Sequence, residues 1–225
     1  MYFIEVNYSV VSTVFHIRSV LTELLHHPIL SFDTETAGVY SKVERKSATK
    51  VLAQPDLPLE TRRSALLVAG NSGLSFPALV SVTHFIFGVS EDESVVIICE
   101  SPVIEKYIWE WVKDYSGKLL IHNALFDLKI MYNRLKALPK NYEDTSLLSK
   151  CLINNSDPWL ARVGLKELMG SYYDPKWSLM DTYEPDNLRD PDFLLYAATD
   201  GAATFKLWYD IQGYLERQKD EQTSL

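Results

Sequence analysis

Apolar side chains recur at helical spacing near the start of the chain. Val14, Ile17, Leu21, Leu24 and Leu25 share one side of a helix predicted over residues 11–26, and Pro28 ends it ahead of a β-rich run, residues 29–34. Two runs rich in β-branched and aromatic residues, 79–89 and 95–99, flank a polar stretch and predict a hairpin. Ser101-Pro102 is a cap followed by a first-turn proline, opening a helix that carries Tyr107, Ile108, Trp111 and Val112. Residues 118–121 then make a short buried strand. Helical patterns fill the remainder, over 125–138, 145–153 and 165–171, with a last long helix beginning near Pro191. Strands early, helices late and one β-α-β passage between them predict an α/β protein: a mixed central sheet flanked by helices.

One stretch breaks this pattern. Between Thr36 and Ala78 lie about forty residues with little periodicity, against the ~12–15 of an ordinary structureless loop. Residues 37–78 are therefore read as an insertion in a single domain spanning 1–225. Within it, one short helix is expected over 58–69, before Gly70, with Leu59, Leu66 and Leu67 on an apolar side. Lys42, Arg45, Lys46, Lys50, Arg62 and Arg63 stand against Glu44, Asp56 and Glu60, a local excess of three positive charges. The segment is either a surface excursion or a flap that touches substrate or a partner.

Composition narrows the function classes. The chain has 225 residues, 47% hydrophobic and 23% charged, with 22 basic and 30 acidic side chains and a formal net charge of −8. That balance argues against tight non-specific binding to a duplex, which needs clustered Lys and Arg. Cys99 and Cys151 are far apart and form no CxxC, which excludes a disulfide scaffold and a structural zinc site and points to a reducing cytoplasm. Residues 1–10 lack the features of a signal peptide, and no apolar run approaches the ~18 residues of a membrane span, so no membrane association is expected. The histidines, His16, His26, His27, His84 and His122, have no HExxH spacing; Gly70-Asn71-Ser72-Gly73 lacks the Lys of a phosphate loop; there is no GxSxG.

Three acidic motifs remain. In Phe32-Asp33-Thr34-Glu35-Thr36, residues two apart on a strand share a face, so Asp33 and Glu35 present two carboxylates together while Leu30, Phe32 and Thr34 face the other way. In Ile121-His122-Asn123-Ala124-Leu125-Phe126-Asp127, a buried strand runs into a helix, with Asn123 as the expected N-cap and Asp127 in the first turn, where the helix dipole favours an anion. In Tyr196-Ala197-Ala198-Thr199-Asp200-Gly201-Ala202, Tyr196 and Asp200 are i,i+4 neighbours on a helix whose small residues permit close approach to a sheet. Each alone has a structural explanation. Together, four carboxylates at strand ends and on abutting helices suit hard divalent cations, and two such ions ~3.5–4 Å apart serve in-line attack on phosphorus.

In order and spacing these motifs resemble the DEDD 3′-5′ exonuclease superfamily, in its tyrosine-bearing branch (DEDDy), and especially the proofreading exonuclease domains of family A DNA polymerases, including those of bacteriophages. Asp144-Thr145-Ser146-Leu147-Leu148 and Gly164-Leu165-Lys166-Glu167-Leu168 resemble the family's Asp-Thr helix start and Leu-rich helix. His122 stands where Gln is common, Ala124-Leu125 lacks a frequent Lys, and Thr199 sits where Glu is often found. The resemblance implies an RNase H-like (DnaQ-like) fold and two divalent cations, Mg2+ or Mn2+. Asp33 would bridge both ions, Glu35 and Asp200 would complete the tighter site, and Asp127 would hold the second ion. Tyr196 would orient the attacking water, assisted by Glu35, while Thr36, Asn123 and His122 would contact the terminal nucleotide.

The substrate implied is single-stranded DNA or a DNA 3′ terminus, and the product a 5′-mononucleotide. Because the chain stops soon after the third motif, the expectation is a free-standing exonuclease or one part of a split replicase with a separate DNA polymerase subunit, in the cytoplasm of a bacterium or a phage-infected host. The alternatives are an RNase D-like exoribonuclease and a catalytically silent nucleic-acid- or polymerase-binding module.

Overall fold

Strand β1 (Asn7–Val11) leads into helix α1 (Val14–Leu24) and then into the longest strand, β2 (Ile29–Gly38). Helices α2 (Lys42–Leu52) and α3 (Leu59–Ala69) connect β2 to the hairpin β3 (Val80–Gly88) and β4 (Glu93–Ile98). Then come α4 (Pro102–Asp114), β5 (Lys118–Ile121), α5 (Leu125–Leu135), β6 (Tyr142–Asp144), α6 (Thr145–Leu152), α7 (Leu165–Tyr172) and α8 (Pro191–Thr223). This computed structural model describes residues 6–38, 42–69, 80–152, 164–173 and 187–223. Among them, one mixed sheet runs in the order β1-β4-β3-β2-β5-β6. β2 pairs antiparallel with β3 and parallel with β5, and β3 pairs antiparallel with β4. No helix of the described residues is long and apolar enough to cross a membrane.

Period-two alternation sorts the sheet into two faces. Leu30 and Phe32 of β2, Phe85 and Phe87 of β3, and Val95 and Ile97 of β4 enter one core with Ile17, Leu21 and Leu24 of α1, Ile108, Trp109 and Val112 of α4, and Ile130 and Met131 of α5. The alternate residues turn to α8, where Ile86 packs with Phe193, Tyr196 and Ala197, and Val96 and Ile98 pack with Leu194 and Ala198. Contact here is very close. A Cβ on Gly201 would lie 2.7 Å from Ile86 Cγ2, and one on Gly88 would lie 2.6 Å from the Gly201 carbonyl oxygen. Two serine hydroxyls of the sheet bond the helix backbone: Ser31 Oγ donates to the Gly201 carbonyl at 2.7 Å, and Ser94 Oγ donates to the Ala198 carbonyl at 2.8 Å.

The hairpin, the Ser101 cap and the start of α8 at Pro191 follow the sequence expectation. Other features differ. β1 is mostly exposed and polar, and β6 has three residues, so neither carries a hydrophobic signal. The helix expected to 138 stops at Leu135 because Lys136 takes a left-handed backbone, φ 55°. The connection after β2 holds two helices rather than one, and β2 itself continues to Gly38. Of the apolar side expected for the second helix, Leu59 and Leu66 are exposed, and among the described side chains of the pair Ala48 and Ala65 are buried.

Candidate active site

Asp33 and Glu35 project from the α8-facing side of β2, as their spacing requires. Opposite them the ladder is irregular. Glu35 pairs with His84 and Thr36 pairs with Val82, so Thr83 is an extra residue on β3. Its hydroxyl donates to the Glu35 carbonyl at 3.0 Å, fixing the backbone where the strand changes register. Thr36 follows just past this point and is half-buried.

α8 supplies the third carboxylate. Held to the sheet by Ser31 and Ser94, it places Asp200 so that one oxygen each from Asp33, Glu35 and Asp200 lies within 4.8 Å of the others. Asp200 is 7% exposed, and its Oδ1 is buried without a hydrogen-bond partner among the described residues. Tyr196, one turn earlier, lies within hydrogen-bonding reach of the Asp200 carboxylate. Asp127, in the first turn of α5, is buried too, and its Oδ1 accepts a 2.5 Å hydrogen bond from Thr34 Oγ1. Thr34 belongs to the opposite face of β2 from Asp33 and Glu35, so the fourth carboxylate is fixed from the far side of the same strand.

The electrostatics follow from this crowding. Burial, followed by repulsion from Asp127, Glu35 and Asp200, holds Asp33 protonated well above the usual carboxylate range. Burial, with Asp200 next, pushes Glu35 up to about 8; burial raises Asp127 to about 7, despite the Thr34 hydrogen bond, and Asp200 to about 6, despite the nearby Lys166. Burial and the Asp200 charge push the Tyr196 hydroxyl upward, so it stays a protonated donor. Four carboxyl groups that resist ionising together, one with an orphaned buried oxygen, are a hard-oxygen donor set that divalent cations would satisfy.

Around this centre the second motif differs in detail from its expectation. Asn123 is not an N-cap. It takes a left-handed backbone, φ 59°, Ala124 occupies the cap position without a side-chain bond, and Asn123 is exposed. Asn tolerates that conformation better than most residues. The capping acceptor comes instead from Asp144, at the end of β6. Its carboxylate accepts from the backbone N–H groups of Asn123 (3.2 Å) and Ala124 (3.0 Å), and from Ser146 (2.9 Å) at the start of α6. His122 is half-buried, with Nδ1 2.9 Å from Thr145 Oγ1. Sequence reasoning missed Lys166 of α7, which donates to the Tyr196 hydroxyl and lies 3.9 Å from Asp200 Oδ2. It also missed Ser31 and Ser94, because a lone Lys or Ser inside a periodic segment carries no signal until two elements meet.

The family model of the 3′-5′ exonuclease matches residues 84–216, more than half of the chain and including Asp127, Tyr196 and Asp200. No curated protein matches the sequence. Among solved structures, NrnC of Brucella melitensis with bound Mg2+ is similar at a TM-score of 0.56 and 16% identity, over 98% of this chain and 86% of that one. NrnC bound to pGG gives 0.54 and 15% over the same shares, 98% and 86%. Escherichia coli RNase D, an exoribonuclease involved in structured RNA processing, gives 0.53 and 18% over 97% of this chain and 49% of that one. These likenesses concern the fold, which is the expected RNase H-like arrangement of a mixed sheet between helices. The first-motif carboxylates lie outside the matched residues, yet β2 folds them directly against the matched Asp200. The chain belongs to the 3′-5′ exonuclease family and is a hydrolytic nuclease.

Proposed function

We propose that this protein removes nucleotides one at a time from the 3′ end of single-stranded DNA, releasing 5′-mononucleotides, with two divalent cations, Mg2+ or Mn2+, held by Asp33, Glu35, Asp127 and Asp200. The observation that carries this reading is the trio of mutually adjacent carboxylates with the unpartnered Asp200 Oδ1. When bound, the cations supply the positive charge that favours a hydroxide nucleophile and offsets charge developing on phosphorus and the leaving 3′ oxygen. The chain's own groups do the rest. Tyr196 offers a protonated hydroxyl and Glu35 an acceptor oxygen beside it, and together they hold the attacking water. Thr36, next to the first-motif carboxylates on β2, and His122 and Asn123, in the β5–α5 turn before Asp127, would contact the terminal nucleotide. Retention of all four carboxylates argues against a silent binding module.

Incubating the protein with 5′-labelled single-stranded DNA, mismatched duplex and RNA, in Mg2+ or Mn2+, tests the assignment. A ladder shortened from the 3′ end, lost in EDTA and in Asp33→Ala/Glu35→Ala, is expected; a folded protein with no metal-dependent cleavage refutes it. RNA is the second reading, favoured by the fold shared with RNase D and with NrnC in its pGG-bound form. Faster shortening of RNA than of DNA would establish it. Work in trans for a DNA polymerase subunit belongs to the DNA reading, and co-purification with such a subunit tests it.

A further inference from the structure

Helix α7 brings to the carboxylates a side chain that none of the three acidic motifs contains. Leu168 and Met169 are buried against Ala203, Leu207 and Ile211 of α8, which fixes the rotation of α7 about its axis. Lys166, one half-turn earlier, is thereby aimed at the first turns of α8. Its ammonium donates to the Tyr196 hydroxyl, stands 4.0 Å from the centroid of the Tyr196 ring and lies 3.9 Å from Asp200 Oδ2. The Lys166 side chain is 20% exposed and that of Asp200 11%, so this is not a solvent-screened surface pair.

The donor inventory gives the contact a direction. An ammonium has only donors, whereas a phenol has one proton and two lone pairs. The Tyr196 oxygen must therefore accept from Lys166, and its own proton is turned away from the ammonium, toward the carboxylates. A freely rotating hydroxyl becomes one with a fixed bearing.

We propose that Lys166 is the positioning residue for Tyr196, fixing the direction of its hydroxyl so that the attacking water is held at a defined angle. This rests on the reading of the site as a hydrolytic centre in which Tyr196 holds that water. Lys166 acts through Tyr196 and does not itself grip the substrate.

The test uses the full chain with Lys166→Met, Lys166→Arg, Tyr196→Phe and the double variant Lys166→Met/Tyr196→Phe, on 5′-labelled single-stranded DNA with Mg2+. Lys166→Met should lower kcat by about 10–100-fold with KM within about threefold, and Lys166→Arg should restore part of the loss. In the Tyr196→Phe background, Lys166→Met should cost less than about threefold, because the hydroxyl it serves is already gone. Two measurements do not depend on turnover. Calorimetric titration with Mn2+ alone should show Lys166→Met binding as tightly as the parent or tighter, since a positive charge beside Asp200 has been removed. In protein carrying 13C-labelled tyrosine, the Tyr196 Cζ resonance should move in Lys166→Met and not in the surface variant Lys140→Met.

A full additional loss in the Tyr196→Phe background overturns the proposal. So does a raised KM with kcat unchanged, which would make Lys166 a phosphate contact, and so does weaker Mn2+ binding, which would mark structural damage. If the parent protein cuts nothing, the functional reading fails on its own, and the Tyr196 resonance still decides whether Lys166 sets the hydroxyl.

Discussion

Two structures grow from the same strand and follow opposite rules. Where Gly201 meets Ile86 and Gly88, α8 lies against the sheet with no room for an extra methyl group, and beside that contact β2 holds the half-buried Asp33 and Glu35 against the buried Asp200. Beyond Gly38 it enters α2 and α3, which pack chiefly on each other, expose Leu59 and Leu66, and carry exposed Lys46, Lys50, Arg62 and Arg63. The first region crowds ionisable groups where burial makes them costly to charge, on elements packed closely beside them. The second has little buried apolar area to hold it and an excess of positive charge. The contrast separates a part in which geometry is the function from a part in which charge could be.

The largest effect should come from neutralising the buried acids. Asp33→Asn is expected to reduce exonuclease turnover by at least about 10³-fold while raising the melting temperature of the EDTA-treated protein, since an amide removes the cost of folding a carboxyl that must take up a proton to be accommodated there. Thermal denaturation and a cleavage assay on one preparation measure both. A variant that is inactive but less stable than the parent in EDTA would mean that the carboxylates support the fold instead of straining it.

The next effect tests the close approach of α8. Gly201→Ala puts a methyl group 2.7 Å from Ile86 Cγ2, so either the helix or the sheet must shift. Overpacking of this kind costs about 1–3 kcal/mol, roughly 2–12 °C in melting temperature for a chain of this size. Because Gly201 adjoins Asp200, kcat should fall as well. The same substitution at Gly213, whose nearest neighbour would be Arg217 Nη1 at 3.6 Å, should leave both unchanged or slightly improved. Equal effects at the two glycines would remove the packing argument.

Protonation gives a smaller, continuous version of the first test. Glu35, Asp127 and Asp200, at about 8, 7 and 6, all titrate above their ordinary values, so between roughly pH 4.5 and 8 the folded cation-free protein binds more protons than the unfolded chain. Stability from these groups is fully present at the acid end of that window and is lost as pH rises through it. The melting temperature in EDTA should fall by several °C from pH 5.5 to pH 8, and Mg2+ should restore more of it at pH 8 than at pH 5.5. A cation effect that is larger at the lower pH would contradict the assignment of these carboxylates to the ions.

Where the sequence was legible, one element's own period was enough. Asp33 and Glu35 on one face, Tyr196 and Asp200 one turn apart, and the small residues that let α8 approach the sheet are all local facts that packing preserved. What was hidden needed two elements. Asn123 looks like a cap from its type and position, but Asp144, 21 residues away, supplies the acceptor and leaves Asn123 in the left-handed region. Lys166 reads as one polar position of an amphipathic helix until Leu168 and Met169 lock that helix onto α8. The pairing of α2 with α3 carries a weak signal because the fully buried side chains among its described residues are alanines.

The smallest change in stability, and the sharpest test of the contrast, should come from deleting residues 39–75. Gly38 and Val80 are partners in the β2–β3 ladder, so the four residues left between them can close an ordinary hairpin loop. Among the described residues, none of those in the main core lies in the deleted stretch. The melting temperature should therefore change by no more than about 4 °C, equivalent to roughly 1 kcal/mol. Binding should change more. Loss of the positive excess should weaken the affinity for single-stranded DNA about 5–10-fold and flatten its salt dependence, by about 0.7 in log Kd against log salt for each phosphate contact removed. Fluorescence anisotropy across a salt series separates the outcomes: an unchanged salt slope with a large fall in melting temperature would make α2 and α3 a support for β2, and the charge they carry incidental.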